Sequence, residues 1–172
     1  MTKGMLSEQL FAQMIKKVGL NALPSSEEED MFKHIDFYLK MDIKNKSKKD
    51  SIKHDNSKIS SILHNATVEV KSHKNVGRGK HAVGDRYALV ETVNVRGNQG
   101  WLYGEANYIA FRYDESFIIV PRTALISIVE SIPKRYVKRN TEAIGAFYKR
   151  GNDEITLISW ETIQQLSILI ID

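Results

Sequence analysis

His34-Ile35-Asp36-Phe37-Tyr38-Leu39 and Thr67-Val68-Glu69-Val70-Lys71 are the two stretches whose reading decides the fold of this 172-residue chain. Each reads as a β-strand with acidic groups on one face and apolar groups on the other. In the second stretch Thr67, Glu69 and Lys71 fall on one side and Val68 and Val70 on the opposite side. A carboxylate and an ammonium therefore project together from a half-buried strand. If the two stretches pair as an antiparallel hairpin, the start of the first lies beside the end of the second, and Asp36 meets Glu69 and Lys71. Two carboxylates so placed can hold a divalent cation, and the lysine can steer a water towards a phosphate.

A rival acid-x-lysine triplet, Asp42-Ile43-Lys44, is separated from this site by geometry. With Phe37, Leu39, Met41 and Ile43 as an apolar face, residues 35–43 read as one strand, and six residues along it put Asp42 about 20 Å from Asp36. Those two carboxylates cannot share one cation.

On Asp36 and the Glu69-Val70-Lys71 triplet the chain resembles the PD-(D/E)xK nuclease superfamily, which includes restriction enzymes, Holliday-junction resolvases and phage nucleases. Asp36 matches the lone aspartate at the start of a core strand, Glu69 and Lys71 match the acid and the lysine, and Glu8 matches the glutamate often found on the first helix. Ile35 stands where proline is common, and the 33 positions between 36 and 69 are long for a simple hairpin. The resemblance spans residues 4–130, and around residues 87–113 the chain looks like phage-encoded members.

The resemblance implies a restriction-endonuclease-like core and a metal-dependent endonuclease that hydrolyses phosphodiester bonds in DNA. Asp36, Glu69 and the backbone carbonyl of Val70 would ligate the metal, with Glu8 as a further acid, and Lys71 would position the water. Oxygen-only ligation favours Mg2+, with Mn2+ as its substitute. DNA is the implied partner, RNA stays open, and a homodimer is one assembly that relatives use. The competing reading is a non-catalytic nucleic-acid-binding or virion-associated protein on a nuclease-like fold.

Composition narrows the alternatives. The chain is 42% hydrophobic, enough for one sizeable core. It has no cysteine, which excludes disulfides, a thiol nucleophile and cysteine-ligated zinc. The five histidines, His34, His54, His64, His73 and His81, form no helical His-x-x-x-His pair, which disfavours a zinc hydrolase. No apolar run is long enough for a membrane span or a leader, so a cytoplasmic setting is expected, that of the host for a phage-encoded protein.

The formal charge is only +4, but it is unevenly placed: residues 40–80 hold 11 Lys or Arg against 4 Asp or Glu. The polar stretch 44–58 reads as a mobile basic loop whose Lys46, Lys48 and Lys49 could follow a phosphate backbone. Lys74 and Arg78 lie in a glycine-containing segment just past Lys71. A second cluster, Lys134, Arg135, Lys138 and Arg139, is interleaved with Tyr136 and followed by Tyr148, Lys149 and Arg150, a mixture suited to phosphates and bases. Solvated insertion and linker are the plainer readings of both.

Elsewhere the pattern gives elements. Apolar residues from Leu6 to Val18 recur at helical spacing, with Ser7 as expected N-cap and Gly19 as stop. Ser25 to Asp30 reads as a capped, acidic helix start. Strands are expected at 87–95 and 107–113 around a turn at 96–100 and an aromatic corner at 100–104. Two strand-to-helix units follow, 117–122 into 123–131 and 155–159 into 160–169. The expected fold class is α/β, a mixed central sheet flanked by helices with the acidic hairpin near its middle. Residues 1–132 are expected to form the core, and 133–172 a strand-helix extension of the same domain.

Overall fold

The computed structural model describes residues 2–42, 54–77 and 82–172, with the backbone alone at 54–57. The elements run α1 (Lys3–Met14), β1 (Leu20–Pro24), α2 (Glu27–Lys33), β2 (Phe37–Met41), α3 (His54–Leu63), β3 (Thr67–Lys71), β4 (Tyr87–Val93), β5 (Tyr108–Tyr113), β6 (Ser116–Pro121), α4 (Arg122–Glu130), β7 (Tyr136–Val137), β8 (Phe147–Arg150), β9 (Asp153–Ser159), α5 (Trp160–Leu166) and β10 (Leu169–Ile171). The fold is α/β with a mixed sheet, as expected. Among the described residues no helix is long and apolar enough to cross a membrane.

The chain divides into two compact units, Met1–Ser72 with Glu105–Ile119 and Ile168–Asp172, and His73–Gly104 with Val120–Ser167. Residue 132, where a boundary was expected, lies inside the second of these units. The last strand, β10, returns to pair with β6 in the first unit, while β4 pairs with β9 although β5 to β8 lie between them in sequence. Both pairings are non-local, so no change in composition marks them.

The first unit is built on a six-stranded sheet in the order β1-β2-β3-β5-β6-β10. β1, β2 and β3 are antiparallel neighbours, and β3 and β5 run parallel, with Glu69 opposite Ile109 and Lys71 opposite Phe111. Its core gathers Phe11, Met14 and Ile15 against Phe37, Leu39, Val68, Val70, Phe117 and Ile119. The Phe11 ring lies 5.9 Å from Phe37 and meets Phe117 edge-on at 5.3 Å. Val68 and Val70 are thus committed to this core, and alternation turns Glu69 to the opposite face.

Several expected boundaries move. α1 is capped by Thr2, whose Oγ1 accepts the Met5 N–H, not by Ser7, which is buried inside the helix with its Oγ donating to the Lys3 carbonyl at 3.2 Å. Gly19 does stop this segment, at φ 79°, a left-handed conformation that suits glycine. β2 begins at Phe37 rather than 35, because His34 ends α2 in the left-handed region and Ile35 donates back to the Glu29 carbonyl. Residues 54–58, read as part of a loop, belong to α3, which is anchored by buried Leu63 and by Ser60 Oγ donating to the Val18 carbonyl. Residues 44–53 of that stretch lie outside the described residues.

The second unit carries a four-stranded sheet, β4-β9-β8-β7, with a core of Val76, Val83, Ala143, Ile155 and Leu157. The expected strands at β4 and β9 and helices at α4 and α5 are present, whereas the short β7 and β8 carry no sequence signal of their own. The aromatic corner is a 3-10 turn, Trp101–Tyr103, with Trp101 and Leu102 buried and their carbonyls accepting from the buried Arg122 guanidinium at 2.6 and 3.0 Å. A Cβ at Gly100 would stand 2.4 Å from the Glu91 carbonyl oxygen, so the turn needs glycine there.

Glu154 knits this unit together. It is 5% exposed and accepts from Thr92 Oγ1 at 2.7 Å, Lys134 Nζ at 2.6 Å and Tyr136 OH at 2.7 Å. Burial alone would raise its carboxyl, but these donors outweigh it and hold the pKa below the ordinary value. The carboxylate's contribution to stability is therefore present above its unfolded pKa near 4.5 and lost as pH falls. Glu154→Ala leaves the buried Thr92 hydroxyl with fewer partners and is expected to destabilise the protein by about 1–3 kcal/mol. Urea unfolding of wild type and variant measures the loss.

Candidate functional site

The candidate site lies wholly in the first unit and grows from the β2/β3 register. Phe37 pairs with Val68 and Tyr38 with Thr67, which puts Asp36, one residue ahead of β2, beside Glu69. Asp36 is held by its backbone from both sides: its N–H donates to the Val68 carbonyl and its carbonyl accepts from Ser25 N–H, both at 2.9 Å. Its side chain reaches across, and Oδ2 accepts the Val70 N–H at 2.5 Å.

Glu69 is 2% exposed, an unusual place for a carboxylate. Its Oε1 is ion-paired with Lys71 Nζ and lies 3.9 Å from His34 Nδ1. Its Oε2 has no hydrogen-bond partner. A buried oxygen left in this state costs free energy, and an ion is one of the few groups that would remove the cost. Oxygens of Asp30, Asp36 and Glu69 all come within 4.8 Å of one another. Ligands about 2.0–2.6 Å from a shared Mg2+ or Ca2+ have such separations.

The electrostatics describe a surplus of negative charge. Burial, and then the charge of Glu69, push the Asp36 carboxyl up to about 8 against the opposing Val70 N–H and Lys71. Glu8, on α1, is also raised, by burial first and then by Asp30 and Glu69, with Lys71 acting the other way. Glu8 thus belongs to the same electrostatic cluster.

The structure brings together Asp36, Glu69, Lys71 and, by its charge, Glu8. Val70 enters through its N–H, which is engaged with Asp36. Asp42 lies past the other end of β2, where its N–H donates to the Gly19 carbonyl at 3.0 Å; its triplet partner Lys44 lies outside the described residues. Asp30 joins the cluster from α2, where its closeness in sequence to Asp36 made it, with Glu29 and His34, a candidate additional metal group within a charged run. Its signal was the Ser26-x-x-Glu29 capping box, which fixes the start of the helix.

The basic residues singled out for nucleic acid stand elsewhere. Lys46, Lys48, Lys49 and Arg78 lie outside the described residues. Lys74, Lys134, Arg135, Lys138 and Arg139 belong to the second unit and are exposed. Lys134 is engaged with Glu154 and lies 4.2 Å from the Phe147 ring centroid, and Arg139 Nε is 3.8 Å from Glu142 Oε1. Lys134 is therefore tied into the fold of its unit, while Arg135 and Lys138 extend into solvent.

No family model, curated protein or solved structure matches the chain.

Proposed function

We propose that the first unit is a divalent-cation-dependent phosphodiesterase that cleaves DNA, a member of the PD-(D/E)xK superfamily with a restriction-endonuclease-like core. The observation that carries this reading is the buried Glu69 carboxylate, with one oxygen on Lys71 and the other unpartnered, directly beside Asp36. The mixed sheet, with Glu69 on β3 and Asp36 just ahead of the neighbouring β2, is consistent with it.

Asp36 and Glu69 would hold the cation, with Mg2+ favoured by an all-oxygen donor set and Mn2+ able to replace it. A bound cation would polarise the scissile phosphate and lower the pKa of a water. The protein's own groups do the rest. Val70 N–H orients the Asp36 carboxylate, and Glu69 positions the Lys71 ammonium. The Lys71 side chain is 24% exposed, so it can meet an incoming phosphate while staying paired, and it would orient the attacking water and offset charge developing in the transition state.

Incubation of the full chain with supercoiled, linear and branched DNA, with and without Mg2+, tests the proposal. Mg2+-dependent cleavage of at least one form is expected; intact DNA in every case counts against it. Asp42→Asn serves as an internal control. Its place past the far end of β2 predicts a cleavage rate within about twofold of wild type, and a loss as deep as that of Glu69→Gln would move the site to the other triplet.

A further inference from the structure

We infer that Asp30 is a third protein ligand of the cation, completing with Asp36 and Glu69 a three-carboxylate site; the inference rests on the metal-dependent reading above. Asp30 lies outside the acid-x-lysine hairpin, on the helix between β1 and β2. It is the exposed member of the cluster, so its position depends on how firmly α2 is held.

The helix is fixed at both ends. At its start Ser26 Oγ accepts the Glu29 N–H at 3.2 Å and Glu29 Oε2 accepts the Ser26 N–H at 3.1 Å, while Glu29 Oε1 accepts the Tyr38 hydroxyl of β2 at 2.5 Å. At its end the Lys33 carbonyl accepts the Glu105 N–H at 2.6 Å, and Lys33 Nζ lies 3.7 Å from Glu105 Oε2. The chain then turns through His34 at φ 54° and ψ 55°, a conformation few non-glycine residues adopt. Asp36 follows two residues later. This frame fixes α2 against β2 and sets the Asp30 carboxylate within 4.8 Å of those of Asp36 and Glu69.

A cluster of acids by itself is not a site, but this one includes Glu69, a carboxylate 2% exposed whose Oε2 has no hydrogen-bond partner. Three carboxylates leave about three of six coordination positions for waters or phosphate oxygens. Such a site would take up the cation before any substrate arrives.

Isothermal titration of the full chain with MnCl2 tests the inference. Asp30→Asn and Asp30→Ala are each expected to weaken Mn2+ binding about tenfold or more, a loss of the size seen on disturbing metal sites. Glu28→Gln removes a charge from the same helix outside the cluster and should change affinity by no more than about twofold, since exposed charges are screened. Equal, small effects of the Asp30 and Glu28 variants would overturn the inference, because Asp30 would then act only as diffuse charge. If Asp36→Asn loses Mn2+ while both Asp30 variants keep it, the inference falls and the metal-dependent reading stands. No Mn2+ binding by the wild type would overturn both.

Discussion

Asp36→Asn and Glu69→Gln are each expected to lower Mg2+-dependent cleavage of DNA by about 10³-fold or more, a loss of about 4 kcal/mol of transition-state stabilisation. Both variants should keep the fold. The amide oxygen of an asparagine at position 36 could still accept the Val70 N–H, and a glutamine at position 69 would remove a buried charge whose second oxygen has no partner. Lys71→Ala should be similarly inactive while still binding Mn2+, since the lysine is not a ligand. Single-turnover rates, with circular dichroism as the check on folding, decide the matter. Carboxylate variants with rates within about tenfold of wild type would sink the site assignment.

The second large effect is on stability without metal. The Asp36 carboxyl is raised from 3.8 to about 8, chiefly by burial and then by Glu69, so between those values the folded protein holds a proton that the unfolded chain has released. This group's contribution to stability is therefore fully present below pH 3.8 and is lost as pH rises, the loss being complete above about 8. Through the middle of that window the slope approaches about 1.4 kcal/mol per pH unit. Urea unfolding in EDTA should show wild type losing ground to Asp36→Asn from about pH 5 to about pH 8. Mg2+, which favours the ionised carboxylate, should restore more stability at about pH 8 than at about pH 6. Parallel pH curves for wild type and variant would contradict the electrostatic account.

The acidic hairpin could be read from the sequence because its information is local. Val68 and Val70 alternate with Glu69 and Lys71 over five residues, and once the strand is granted, antiparallel pairing leaves Asp36 only one neighbourhood. The cap of α2 was visible for the same reason, as Ser26 and Glu29 interact three residues apart. What escaped depends on distant partners. β1 is a short edge strand ending in Pro24, and β10 is three residues whose strand character comes from pairing with β6. α3 has a polar sequence, and its helix gains from packing Leu63 into the core. Helix-compatible Ser7 looked like a cap because its hydroxyl can serve either role; here it bonds back within the helix.

The same division runs through the site. Asp36, Glu69 and Lys71 follow from strand period and register, and the structure places them together. Asp30 and His34 follow only in part: the capping box and their closeness to Asp36 made them candidates, but how α2 meets β2 is set by the left-handed turn at His34, which no residue pattern announces. The chain's most telling chemical detail, the unpartnered oxygen of Glu69, is likewise a property of packing around a residue rather than of its identity.

If the buried Glu69 carboxylate is a cation ligand shared with Asp36, anomalous diffraction from crystals of the full chain soaked in Mn2+ will show it most directly. A peak is expected about 2.0–2.4 Å from oxygens of both Asp36 and Glu69, with Glu69 Oε2 no longer unpartnered. No peak there, with Glu69 Oε1 still paired with Lys71 and Oε2 still bare, would contradict the assignment.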